Sequence, residues 1–204
     1  MKSSIRKSAA AAMAAAGLLL AATASAATYT TILTGAKEAP PNTSAGIGAA
    51  AVKFDAGTHV LEISTAFSGL FGNSTAAHIH CCTTVSGDGT AGVATELPSF
   101  SGFPLGVQTG AYSHTFDTSL AATWNPAFLS ANGGNTAGAE AALLAGLNAG
   151  QAYLNIHSSA YPNGEIRGFL APAVAVPEPA SYAMLGLGLP AVLLMARRRR
   201  NKST

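Results

Sequence analysis

The sequence predicts a mainly β, antiparallel domain with a short helical insertion, flanked by a signal peptide and a C-terminal transmembrane helix. Three observations predict this. Short runs between residues 28 and 70, and again between 151 and 170, alternate apolar and polar residues with the period of a half-buried strand. An Asn163-Gly164 pair separates the last two such runs, as in a tight hairpin turn. Both ends of the chain carry an apolar stretch next to basic residues.

The elements follow in order. TYTTILTG (28–35) is rich in β-branched residues and stops at a glycine, which makes a strand. APPNTSAGIG (39–48) is a loop. AAAVKFD (49–55) sets Val52 and Phe54 against Lys53 and Asp55, and THVLEISTAFSGL (58–70) repeats the alternation after a turn at Asp55-Ala56-Gly57. AHIHCC (77–82) reads as strand, residues 83–111 as a Gly/Ser/Thr-rich loop, and AYSHTFD (111–117) as a short strand. SLAATWNPAFLSAN (119–132) and TAGAEAALLAGLNAG (136–150) are helical; Ala139, Leu143, Leu144 and Leu147 in the second share a helical spacing. Trp124, with Phe128 and Leu129, packs the helices on the sheet, and stacking on a sugar is the other use of that indole. In QAYLNIHSS (151–159), Leu154 and Ile156 take one face and Tyr153, Asn155 and His157 the other. In AYPNGEIRGFLAP (160–172), Ile166 and Leu170 oppose Glu165, Arg167 and Phe169.

The ends read as sorting devices. Lys2, Arg6 and Lys7 precede the apolar run 9–22, and Ala24-Ser25-Ala26 supplies small residues at Ala24 and Ala26 for cleavage after Ala26. Residues 1–26 are thus a signal peptide for the general secretory route, since no Arg-Arg pair is present. Residues 173–179 form a linker containing Pro177-Glu178-Pro179. The 17 residues 180–196 are apolar and span about 25 Å as a transmembrane helix. Arg197, Arg198, Arg199 and Arg200 open a basic cytoplasmic tail, 197–204, that places the middle of the chain outside the inner membrane.

Charge separates the same way. The formal net charge of +2 comes from the ends: a product spanning 27–176 keeps three basic and eight acidic residues, a net of −5. Nucleic-acid binding needs a clustered positive surface, so nucleic acid is not an expected partner.

AHIHCC holds two of the five histidines and both cysteines. As a strand it puts His78, His80 and Cys82 on one face, and His157 is the natural third or fourth ligand from the hairpin. Nitrogen and sulfur donors suit copper or zinc. The competing reading is architectural: histidines held by a carboxylate or a backbone carbonyl, within a cross-strand polar cluster of Asn155, His157, Glu165 and Arg167. That reading is preferred, because a short His-x-His match arises often without a metal. Convergence of His78, His80 and His157 within about 4 Å would favour the metal; if each instead pairs with a carboxylate or carbonyl, the metal reading fails. For Cys81 and Cys82 a vicinal disulfide ranks first, although adjacent Cα atoms, about 3.8 Å apart, lie inside the usual 4.4–6.8 Å of a bridge. Free thiols, intermolecular bridges, Cys82 as a ligand and a Cys–His dyad are the alternatives. His59 and His114 read as exposed strand residues without partners.

Two resemblances follow from these residues. Pro177-Glu178-Pro179, one apolar segment and an arginine cluster together resemble the PEP-CTERM sorting signals of Gram-negative bacteria. That resemblance implies processing by an exosortase after signal peptidase, a transient inner-membrane stage, and a final place at the cell surface or in the extracellular matrix, with polysaccharide or matrix proteins of a biofilm as partners. LTGAKEAPPNTSAGIGAA (33–50), STAAHIH (74–80) and GQAYLNIHSSAYPNGEIRGFL (150–170) resemble the CHRD domain, over roughly residues 28–172. This implies an immunoglobulin-like antiparallel β-sandwich, and it implies a fold and a location more than a reaction. The chain departs from the family in carrying Cys81-Cys82 where a glycine usually follows AHIH, and in the length of the helical segment 119–149. The expected function is therefore an exported, non-enzymatic binding or structural module of the envelope or polysaccharide matrix, with no cofactor. The alternative is a copper or zinc protein, including a redox one, centred on AHIH.

Overall fold

The computed structural model describes residues 26–173. The expected signal peptide (1–25 of it, Ala24 included), the Pro-Glu-Pro motif, the transmembrane helix at 180–196 and the basic tail lie outside the described residues. Among the described residues, no helix is long and apolar enough to cross a membrane.

Eight strands form: β1 Ala27–Thr34, β2 Ile47–Asp55, β3 Val60–Ser68, β4 Ser74–His80, β5 Gly110–Asp117, β6 Tyr153–Ser158, β7 Ile166–Phe169 and β8 Ala171–Pro172. Alternation builds the first group. Val52 and Phe54 of β2, Leu61 and Ile63 of β3, and Tyr29 and Leu33 of β1 point inward, while Lys53 and Glu62 pair outside at 3.1 Å. The β2–β3 register, Lys53↔Glu62 and Phe54↔Leu61, keeps both faces consistent. The connection is longer than the expected three-residue turn: Asp55 accepts from the amides of Gly57 and Thr58, and His59 takes a positive φ of 59°.

All pairings are antiparallel, in the order β4-β6-β7-β1-β2-β3-β5, with β8 against the start of β1. The mainly β antiparallel architecture therefore holds, as one continuous curled sheet. β1 meets β7 through the single register pair Thr34↔Arg167. On either side of that junction the inner faces of the two arms, β4-β6-β7 and β1-β2-β3-β5, turn toward a shared core that includes Ile79, Leu154, Ile156 and Ile166 from one and Val52, Phe54 and Ile63 from the other.

The insertion supplies α1 Pro126–Ala131 and α2 Thr136–Asn148. Asn125 and Asn135 cap them by accepting from Ala127 N and Gly138 N, and Pro126 stands where its missing N–H is harmless. Ala139, Leu143 and Leu147 bury one face of α2. Trp124 is 2% exposed, donates to the Thr118 carbonyl and stacks on Phe128, so its faces belong to the core. His59 does have a partner, contrary to expectation: Nδ1 lies 2.8 Å from the buried carboxylate of Glu140, which Thr118 also reaches. That hydrogen bond and charge raise the His59 pKa. His114 is exposed on β5.

The long segment after β4 runs back along its free edge. Ala94 donates to Ile79 O, Phe100 to Ala77 O, and Ile79 donates to Thr95 Oγ1. This cover protects an otherwise open strand edge, and it brings carbonyls to the histidines of β4.

Candidate metal centre

β4 sends Ala77 and Ile79 into the core and His78 and His80 to the opposite face. β6 likewise commits Leu154 and Ile156 to the core and sets Tyr153, Asn155 and His157 on the opposite face, where Tyr153 and Asn155 are also buried. The register sets His80 opposite Tyr153, His78 opposite Asn155, and Ala76 opposite His157. His157 thus stands diagonally across from His78. The three rings cluster, with centroids 5.3 Å apart for His78 and His157, 5.8 Å for His78 and His80, and 6.2 Å for His80 and His157.

Each ring uses one nitrogen on a backbone carbonyl. His78 Nε2 lies 2.6 Å from Pro98 O, His80 Nδ1 2.9 Å from Ala91 O, and His157 Nδ1 2.9 Å from Pro162 O. A carbonyl only accepts, so these nitrogens carry the proton, and the other nitrogen of each neutral ring carries a lone pair. Those are His78 Nδ1, His80 Nε2 and His157 Nε2. All three are buried without a hydrogen-bond partner, and one ring nitrogen from each histidine lies within 4.8 Å of the others. Burial lowers the pKa of all three rings, that of His80 to about 4, which keeps the lone pairs available near neutral pH.

Each ring pairs with a carbonyl, the outcome set against a metal, and the rings converge to 4.8 Å, outside the mark of about 4 Å; because imidazole has two nitrogens, the carbonyl bond still leaves a second nitrogen on each ring. Ligand bonds of about 2.0–2.1 Å in a tetrahedral site need nitrogens about 3.4 Å apart, so a bound ion would have to draw the rings closer together. Donation of the far N–H to a carbonyl is what orients a metal-bound histidine. His80 is further fixed by stacking on Tyr153 at 4.7 Å, whose hydroxyl meets the Ala91 amide and carbonyl at 3.2 Å.

The cross-strand cluster differs from expectation. None of the three histidines bonds Glu165. That carboxylate is buried and turned toward the β3–β4 connection, where it accepts from Ser44 Oγ and from the amides of Phe71 and Gly72. Burial raises its pKa, but hydrogen bonding to Ser158, Ser44 and the Phe71 and Gly72 amides outweighs it and holds the group below its usual value. Asn155 and Arg167 instead converge on Glu38, a residue given no role from the sequence. Asn155 Nδ2 donates to Glu38 Oε1 at 2.6 Å; Arg167 Nε lies 3.8 Å from Glu38 Oε2 and donates to Lys37 O, while Nη1 donates to Gly89 O. The guanidinium packs on Tyr153 and Phe169. Burial lifts the Glu38 pKa to about 7 against the pull of Arg167 and Asn155.

Cys82 does not join the histidines. β4 ends at His80, so the alternation no longer governs residue 82, and the Cys81 and Cys82 sulfurs are joined to each other against Ala142 O of α2. That arrangement leaves Cys82 neither a ligand nor half of a Cys–His dyad.

Gly164, in the turn between β6 and β7, has φ +130° and lies under the Asn155 amide; a Cβ there would sit 2.7 Å from Asn155 Nδ2 and 2.8 Å from Glu38 Oε1. Gly164→Ala is expected to lower stability by about 1–3 kcal/mol, measured by urea unfolding; an unchanged midpoint would contradict this packing.

Acid acts on the region in two senses. An unfolded histidine takes a proton at about 6.5, whereas folded His80 resists until about 4, so stability falls as pH drops between those values. Glu38 works oppositely: its folded pKa of about 7 exceeds its usual 4.5, so it adds stability as pH drops from 7 toward 4.5. Glu38→Gln removes the second effect. The variant is expected to lose stability more steeply than the wild type on acidification from pH 7 to about 5, and parallel profiles would contradict the assignment.

Comparison with known proteins adds two findings. The family model described as CHRD domain matches residues 29–170. The model described as PEP-CTERM protein-sorting motif matches residues 175–200. No curated protein and no solved structure matches the chain. A motif of the second kind marks export and sorting to the cell envelope by an exosortase-type enzyme.

Proposed function

Because the chain belongs to the CHRD-domain family and carries a PEP-CTERM sorting motif, we propose that it is an exported envelope module that holds one divalent transition-metal ion on His78, His80 and His157. The observation that carries this is a cluster of three histidines that bring one ring nitrogen each within 4.8 Å of the others, each ring also holding a buried nitrogen without a hydrogen-bond partner. The far side of every ring is already anchored on a carbonyl, as ligating histidines require. Nitrogen donors favour zinc or copper over calcium or magnesium, which take oxygen.

The role proposed for the holo-module is binding or structural, within the envelope or the extracellular polysaccharide matrix. Signal peptidase removes residues 1–26, and the apolar segment 180–196 holds the intermediate in the inner membrane until exosortase-type processing. Support for the location comes from the sorting motif.

The test is metal content. Protein isolated from the exported fraction without chelator is expected to carry about one zinc or copper per chain, and His78→Ala/His80→Ala protein to carry none. A folded wild-type protein with no more metal than the variant overturns the reading.

A further inference from the structure

Among the described residues, four buried side-chain nitrogen or oxygen atoms lack a hydrogen-bond partner: His78 Nδ1, His80 Nε2, His157 Nε2 and Asn155 Oδ1. The fourth belongs with the other three. Asn155 is directly opposite His78 across the β4–β6 pair, and two residues from His157 on its own strand, so its side chain rises on the face that carries all three rings. It is 2% exposed.

We propose that Asn155 Oδ1 is the fourth ligand of the ion held by the three histidines, making a closed, four-coordinate site for Zn2+ that ties β4 to β6. This rests on the metal-binding reading above and specifies it. The amide is oriented for the task. Nδ2 is committed to Glu38 Oε1 at 2.6 Å, which leaves Oδ1 as the amide atom without a partner. A carboxylate accepting from Nδ2 pushes electron density onto Oδ1 and makes it a better donor to a cation, the same support that carbonyls give the imidazoles. Gly164 packs close to both amide atoms: a Cβ there would sit 2.7 Å from Nδ2 and 2.9 Å from Oδ1.

The chemistry selects the ion. Burying an amide oxygen and three imidazole lone pairs with nothing to accept them is unfavourable, and one cation at their centre meets all four needs. Three nitrogens and one oxygen, all neutral, suit tetrahedral Zn2+; four protein donors leave no exchangeable position, which is the property of a structural zinc and not of a catalytic one.

Co2+ reports the difference, because its visible spectrum follows coordination number and azide enters an open position. Wild-type exported protein loaded with Co2+ is expected to give a four-coordinate spectrum that azide does not change. Asn155→Leu is expected to bind Co2+ roughly tenfold more weakly, with a spectrum that azide does shift. Asn155→Asp/Glu38→Gln, which restores an oxygen donor and a donated hydrogen bond behind it, is expected to return to azide indifference even if Asn155→Leu fails to fold. Azide shifting the wild-type spectrum would overturn the proposal, since the fourth position would then hold water. So would an Asn155→Leu protein with wild-type affinity and azide indifference. Failure of the underlying metal reading looks different: wild type would then bind Co2+ no better than His78→Ala.

Discussion

Saturating Zn2+ is expected to raise the thermal midpoint of the wild-type protein by about 5–10 °C and to leave His78→Ala/His80→Ala unmoved. A ligand that binds only the folded state at a hundred times its dissociation constant adds about 2.7 kcal/mol. For a domain of this size each kcal/mol moves the midpoint by about 2–4 °C. The effect is large because the ion would bridge β4 and β6, adjacent in the sheet but 73 residues apart at their nearest named pair, His80 and Tyr153. It would also discharge three unmet lone pairs that the metal-free fold keeps buried. Scanning calorimetry with and without chelator measures it. An equal shift in the double variant would locate the bound zinc elsewhere.

Gly168→Ala is expected to cost about 3 kcal/mol, at the upper end of overpacking substitutions. A Cβ at this position would run into Thr31 Oγ1 and the carbonyl oxygen of Ile32. The second is backbone and cannot swing away. Position 168 adjoins Arg167, whose pairing with Thr34 is the one register pair joining the two arms of the sheet. β1 must therefore move off β7, and the segment after β1, which carries Glu38 to Asn155 and Arg167, moves with it. Urea unfolding of the variant measures the loss. A variant as stable as wild type would mean that the junction is looser than the close approach of these two strands implies.

The strands were legible wherever apolar and polar residues alternate along them. The Val52/Phe54 against Lys53/Asp55 and the Leu154/Ile156 against Asn155/His157 alternations fix both the strand and its sidedness. The histidine face was legible for the same reason: His78 and His80 share a strand parity, and the β6 alternation puts His157 on a matching face. What could not be read is what covers that face. Pro98 O, Ala91 O and Pro162 O come from a loop and a turn whose paths are set by tertiary contacts, so the split between a carbonyl-bound and a free nitrogen on each ring had no local signal. Glu38 was hidden in the same way. Its partners Asn155 and Arg167 lie at the other end of the chain, and a charge preceding two prolines reads as an exposed loop residue. The sequence does bear one trace of its burial: with only Lys37, Lys53 and Arg167 as bases between the ends, the arginine inside the final hairpin needed a carboxylate, and Glu165 was merely the nearest along the chain.

The most direct measurement is anomalous diffraction at the zinc edge from crystals of the protein grown with one equivalent of Zn2+. The account predicts a single strong peak about 2.0–2.1 Å from His78 Nδ1, His80 Nε2 and His157 Nε2. A peak bound to other residues, or no peak among these three nitrogens in zinc-saturated crystals, would contradict it.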